Sequence, residues 1–202
     1  MRHKSYGQDA ELSLLDKLGQ FLSGINVRRA LLNVQNFTSL ADVGSGFGAN
    51  VSKPLWGKFD SVHIFDFKLD SLVLKGQHAN ISFHEGDVLQ TIRKNHIKFD
   101  FIILNNALEH FDEPVSILSE LHSQLSKKGV LFVNVPSWKG KYFLEIAAFR
   151  FNLAPFDEME DHKRYYNKQQ LWLELRNAGF LPSQIRIKSS KFGLNTSAIL
   201  CI

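Results

Sequence analysis

Asp42, Gly44, Gly46 and Gly48 close an apolar run at 38–43, and this alternation of an acid with glycines is the stretch best suited to holding a ligand. Without Cβ atoms the glycines accept positive φ and let a ligand approach the backbone amides. If 38–43 is a strand and 50–58 continues as a helix, those amides lie at a positively polarised helix N-terminus. The spacing has two readings. Gly44, Gly46 and Ala49 fit the GxGxxA form of the dinucleotide fingerprint, whereas Asp42 with the three glycines reads DxGxGxG. A tight strand-to-helix turn with no ligand is the bland alternative. A second acid, Asp66, ends the apolar stretch 61–66, about 20 residues beyond the glycines, where a ribose-binding carboxylate is expected.

The elements that must position these residues follow from the hydrophobic pattern. Leu14, Leu18 and Phe21 recur at helical spacing, so 10–21 reads as an amphipathic helix ahead of the core. After the second strand, 69–76 reads as a helix closed by Gly76. Residues 81–84 read as a third strand, 99–104 as a fourth and 130–135 as a fifth. Between the last two, Pro114 opens a helix expected to run to Lys127, Lys128 and Gly129, a basic last turn with a glycine stop. Strands alternating with helices predict a doubly wound α/β fold with a mostly parallel sheet covered on both faces. Residues 142–153 are apolar almost all round, which implies burial or contact with an apolar partner. A helix at 169–178 precedes two strands, 183–189 and 195–201, whose short connection around Gly193 requires an antiparallel pair.

With 202 residues, 44% of them hydrophobic, the chain suits a single domain. The net charge of +4 is too small to imply nucleic acid, and no basic stripe is interleaved with stacking aromatics. Beyond Lys163 the chain is clearly basic, read as a solvated rim or an anion-binding face. Cys201 is the one cysteine, the N-terminus carries no apolar signal core, and no stretch suits a membrane span. The expectation is a soluble, cytoplasmic protein, with peripheral membrane contact left open and no expectation of oligomeric state.

In order along the chain, LADVGSGFG, HIFDF, EGDV, FDFIILNNALEHF, LSKKGVLFVNVP and HKRYYNKQQLWLELRNAGF resemble the motifs of class I S-adenosylmethionine-dependent methyltransferases. The similarity runs from the glycine turn to the terminal hairpin, and in flavour it is nearest the small quinone-biosynthesis and surface-glycan methyltransferases. The resemblance implies a seven-stranded Rossmann-like sheet with a C-terminal antiparallel hairpin. It implies one domain over 1–202, with an N-terminal helical segment at 1–37 and an inserted lid or acceptor segment at 137–166. S-adenosylmethionine is the implied cofactor, with no metal. Pro54 departs from the family, since the first crossover helix is normally uninterrupted there; a short or kinked helix is expected.

By the same resemblance, Gly44, Ser45, Gly46 and Gly48 line the methionyl and ribose portion, while Asp42 orders the turn or meets the donor's ammonium. Asp66, followed by Phe67, accepts from the ribose hydroxyls. Asp87 accepts from the adenine amino group, with the Val88 amide at the ring, and Asn105 faces the cofactor through its backbone. Asp87 also reads as a helix N-cap. Methyl transfer is an in-line displacement that needs alignment and desolvation rather than a protein nucleophile. An alcohol or phenol acceptor benefits from a base, for which His110 is the first candidate and His162 the second. The implied acceptor is a small molecule or a glycan or lipid-linked intermediate. Two other functions use the same glycines: a catalytically silent cofactor-binding partner subunit, and an NAD(P)-dependent oxidoreductase. The latter lacks a YxxxK pair, because Tyr6, Tyr142, Tyr165 and Tyr166 are followed four places on by Ala10, Ile146, Gln169 and Gln170.

Overall fold

The computed structural model describes residues 14–46, 48–69, 80–142 and 163–202. Its sheet has the order β3-β2-β1-β4-β5-β7-β6. The strands are β1 (Ser39–Val43), β2 (Ser61–Asp66), β3 (Ile81–Glu85), β4 (Phe99–Asn105), β5 (Leu125–Pro136), β6 (Ile185–Ser190) and β7 (Asn195–Cys201). The pairs β1–β2, β1–β4, β2–β3 and β4–β5 are parallel. β7 lies antiparallel between β5 and β6, with Pro136 opposite Asn195 and Val130 opposite Cys201. This is the expected doubly wound sheet with its closing hairpin.

Alternation along each strand sorts the core into two layers, since successive side chains leave opposite faces of a strand. Leu40, Ile64, Phe101, Ile103 and Phe132 face Val27 and Ala30 of α1 (Leu14–Leu31) together with Trp56. Ala41, Phe65, Ile102, Leu104 and Leu131 face the other way. There they meet α2 (Val88–Lys94), α3 (Pro114–Gln124) and α4 (Lys168–Asn177), which contribute Ile92, Leu118 and Leu171. α4 starts on a capping box: the Asn167 side chain accepts from the Gln170 amide at 2.8 Å, and the Gln170 side chain accepts from the Asn167 amide at 2.9 Å. On this second face His63 and His84 share a ring-to-ring hydrogen bond of 3.0 Å, and Phe65 stacks on His84 with centroids 4.3 Å apart.

Three elements differ from expectation. Among the described residues α1 runs on to Leu31, beyond the end expected at 21. The crossover after β1 is no α-helix over 50–58 but a six-residue 3-10 helix, Lys53–Lys58, with Pro54 in its first turn. Proline supplies no amide and suits only a helix start, and the chain turns extended again at Phe59. Buried Trp56 fastens this short turn, its indole donating to the Ser52 hydroxyl at 3.1 Å. The third difference is that α3 ends at Gln124, because Leu125 leaves helical geometry to pair with Phe99 and fill the core. Gly129 therefore stops no helix. A Cβ there would sit 2.9 Å from the Phe99 and Ser126 carbonyl oxygens, so the backbone approach itself requires glycine. The helix expected at 69–76 and nearly all of the apolar stretch 142–153 lie outside the described residues.

Candidate active site

The carboxyl ends of β1, β2, β3 and β4 bring the sequence-predicted residues to one edge. Gly44 has φ +67° and its amide donates to the Phe65 carbonyl at 2.8 Å, tying the turn to the end of β2. A Cβ on Gly44 would lie 2.4 Å from the Ala107 Cβ, so the turn after β4 packs directly against the glycine turn. Gly46, at φ +74°, donates its amide to Asp66 Oδ2 at 2.7 Å. Among the described residues Ser45 makes a local bond to the Gly46 carbonyl, 3.0 Å, and Gly48 lies against the Asn50 side chain.

Asp66 joins three strand ends. Its Oδ2 holds Gly46, its Oδ1 accepts from the Phe67 amide at 2.8 Å, and its carbonyl accepts from the Gly86 amide at 3.1 Å. The Phe67 ring is itself partly open to solvent. Asp87 caps α2, accepting from the Gln90 amide at 2.9 Å, and Val88 is the first residue of that helix. The N-cap reading of Asp87 is thus what the structure holds, and it leaves further acceptor capacity on the carboxylate.

Asp42 lies beneath the turn and is 2% exposed. Burial pushes its carboxyl up to about 7; the Ser52 hydroxyl opposes this and the neighbouring Asp66 charge adds to it. Its Oδ2 has no hydrogen-bond partner among the described residues. A buried carboxylate oxygen without a donor is costly by itself, and a cationic ligand group beside it would remove that cost.

Asn105 ends β4 as foreseen, but its side chain enters a polar network that the sequence reading did not single out. Asn134 of β5 donates to Asn105 Oδ1 at 3.0 Å and to Asn106 Oδ1 at 2.8 Å. Its own Oδ1 accepts from Ser197 at 2.8 Å and Ser190 at 3.2 Å, and Asn195 donates to Asn106 Oδ1 at 3.0 Å. The terminal hairpin is thereby fixed to the turn after β4. The one sequence signal was the polar Asn134 inside the apolar run VLFVNV.

His110 ends the 3-10 turn Leu108–His110 and is half-buried beside that network. Glu109 is wholly buried. Its charge acts on two groups from other elements: Lys191, which burial lowers to about 8 while Glu109 opposes the fall, and Tyr166, which burial and Glu174 push up to about 12. No spacing rule would have pointed to Lys191. His162 lies outside the described residues. A groove lined by Phe21 and Gly24 of α1 with Asn50, Val51 and Pro54 runs alongside the segment after the glycines. Among the described residues no cluster of three or more His, Cys, Asp or Glu side chains could hold a metal. None of the described helices is long and apolar enough to cross a membrane.

Comparison with known proteins bears on this edge. A family described as "Methyltransferase domain" matches residues 8–183. No curated protein matches the chain in sequence. Among solved structures, an S-adenosylmethionine-dependent methyltransferase from Archaeoglobus fulgidus superposes with a TM-score of 0.66 at 13% identity, covering 91% of this chain and 94% of that one. Magnesium protoporphyrin IX methyltransferase from Synechocystis, solved with bound S-adenosylhomocysteine, gives 0.64 at 17%, covering 96% and 89%. A candidate O-methyltransferase from Nostoc punctiforme gives 0.62 at 14%; the match covers 93% of this chain but only 58% of that one.

Proposed function

The chain belongs to the methyltransferase-domain family and is a class I S-adenosylmethionine-dependent methyltransferase, and on that premise we propose that it methylates an oxygen or nitrogen of a small metabolite, a glycan or a lipid-linked intermediate. The observation that carries the site assignment is the buried, unpartnered Oδ2 of Asp42 beside Asp66. Two acids at adjoining strand ends raise each other's cost of ionisation and suit a ligand that is itself a cation, as a sulfonium amino acid is and a dinucleotide is not. When bound, S-adenosylmethionine supplies an electrophilic methyl on a neutral leaving thioether.

The chain's own residues then divide the work. Asp42 meets the ammonium end of the donor, and the backbone of Gly44, Ser45, Gly46 and Gly48 lines its methionyl and ribose part. Asp66 accepts from the ribose hydroxyls, a carboxylate oxygen that takes one amide being able to accept a second hydrogen bond. Phe67 flanks the ribose end, and Asp87 with the Val88 amide reads the adenine edge. Asn105, its side chain engaged by Asn134, presents its backbone. At the mouth His110 takes the proton of a hydroxyl acceptor, a role worth about 10²–10⁴ in rate, with His162 second in line; an amine acceptor attacks with its own lone pair. The segment 137–166 covers an acceptor with an apolar part.

Calorimetric titration with S-adenosylmethionine and S-adenosylhomocysteine tests the donor contacts. Asp66→Ala is expected to weaken both by at least about tenfold, two hydrogen bonds to a charged group being lost. His110→Ala is expected to leave donor binding unchanged and to slow turnover of hydroxyl acceptors found by a mass search for methylated products. Folded Asp42→Asn and Asp66→Ala proteins that bind the donor normally would remove these assignments. Donor binding with no methylated product from any acceptor class would favour a silent partner subunit.

A further inference from the structure

We propose that the tip formed by residues 137–142 and the β6–β7 turn is a docking surface for an anionic lipid bilayer, Phe192, Trp138 and Tyr142 entering the interface and Lys139 and Lys141 facing the headgroups. The inference rests on the proposed acceptor class only for its purpose, not for its geometry.

Phe192 is 94% exposed and buries nothing in the fold. It is nevertheless held outward by backbone that side-chain-bearing residues rarely adopt: Lys191, Phe192 and Gly193 have φ of +50°, +59° and +88° in succession. For a bulky residue this is strained, and such strain persists only where the surroundings impose it. Here they do. The Ser137 amide donates to the Leu194 carbonyl at 2.9 Å, and the Ser137 hydroxyl donates to the Gly193 carbonyl at 2.7 Å. Gly140 lies so close that a Cβ would stand 2.2 Å from the Leu194 oxygen. The turn and the start of the segment after β5 are therefore one rigid tip. Lys191 is only partly exposed while Phe192 is almost fully so, and the turn therefore projects its ring.

The rest of the tip has interfacial chemistry. Trp138 is 42% and Tyr142 60% exposed, and these two residue types favour the boundary between water and lipid. Lys141 lies over the Trp138 and Tyr165 rings at 5.7 and 5.5 Å. Among the described residues the tip itself, 137–142 and 190–193, carries exposed Lys139 and part-buried Lys141 and Lys191 and no acid. An exposed aromatic cluster with cations and, among the described residues, no anions is complementary to an anionic membrane rather than to a second copy of itself, where the lysines would face each other. Pro136 pairs with Asn195, so the tip lies on the same edge of the sheet as the glycine turn, Asp66 and Asn105. A bilayer engaged there faces the mouth of the site.

Co-sedimentation of the full chain with phosphatidylserine-containing vesicles, against pure phosphatidylcholine, tests this. Binding is expected to the anionic vesicles and to fall with salt. Phe192→Ser is expected to lower partitioning by about tenfold or more, the loss from withdrawing one aromatic ring from an apolar phase. Lys139→Gln with Lys141→Gln is expected to lower it by a similar factor. Both variants should keep the circular dichroism of the parent. No binding to anionic vesicles at low salt, equal binding by Phe192→Ser, or a dimer in light scattering that Phe192→Ser dissolves would each overturn the proposal. Donor calorimetry on the same proteins separates the two readings. Lost donor binding with intact vesicle binding strikes the donor contacts alone, and the reverse strikes the docking surface alone.

Discussion

Replacing Asp42 by Asn gives the most direct test of how the site is built. In the folded protein the Asp42 carboxyl ionises near 7, against 3.8 for the free group. Between those values the folded chain holds a proton that the unfolded chain has released, so stability is fully present below about pH 4 and is lost as pH rises through about 7. The slope is at most about 1.4 kcal/mol per pH unit, and the whole loss is on the order of 4 kcal/mol. His63, His84 and His122 act in the opposite sense: burial lowers all three, so they favour the fold at neutral pH and cost it in acid. The quantity to measure is therefore the difference between Asp42→Asn and the parent, by urea denaturation at intervals from pH 4 to 8.5, in which the histidines cancel. That difference should climb in favour of the variant up to about pH 7 and then stay level. Donor binding supplies a second readout. A cation placed beside Asp42 favours its charged form, so the parent should release a proton on binding S-adenosylmethionine near neutral pH and the variant should not. A flat difference curve would show that Asp42 is not desolvated and would undo the argument. A sloping curve with unchanged proton release would instead move the donor's ammonium away from Asp42.

Other expectations follow from single contacts. Gly44→Ala should cost about 2–4 kcal/mol in denaturant, combining a left-handed backbone with a clash against Ala107; full stability would mean that the two turns do not touch. Asn134→Ala should cost about 3 kcal/mol by stranding the polar groups of Asn105, Asn106, Ser190 and Ser197. It should also raise amide exchange at the β6–β7 turn. The His63 ring should titrate near 4 by NMR, with its share of stability present above about pH 6.5 and lost as pH falls through 4. Phe in its place should flatten that part of the acid limb.

β1, β2 and β4 were legible because each is a short apolar run bounded by turn residues, and β2 was placed to the residue. The glycine turn was legible because positive φ is a backbone demand that leaves glycine in the sequence at 44 and 46. Where local pattern competed with tertiary packing, packing won. Lys127, Lys128 and Gly129 have the composition of a helix end, yet the need to bury Leu125 against Phe99 draws the chain into β5 several residues earlier. Pro54 did announce a shortened crossover, but not that it would be 3-10 and braced by Trp56 and Ser52. The network around Asn134 and the Glu109–Lys191 relation were invisible because they join residues far apart in the chain whose types carry no periodic signal.

The placement of β7 has a consequence for how the chain is made. β5 is buried from Gly129 to Pro136 in the finished sheet, but its outer neighbour begins only at Asn195. At ordinary rates of synthesis those two points are separated by roughly 3–12 s. Throughout that interval this buried strand is an open edge, with its amides and carbonyls unpaired on one side. Substitutions that weaken the Asn134 network should lower soluble yield more than they lower the stability of protein already folded.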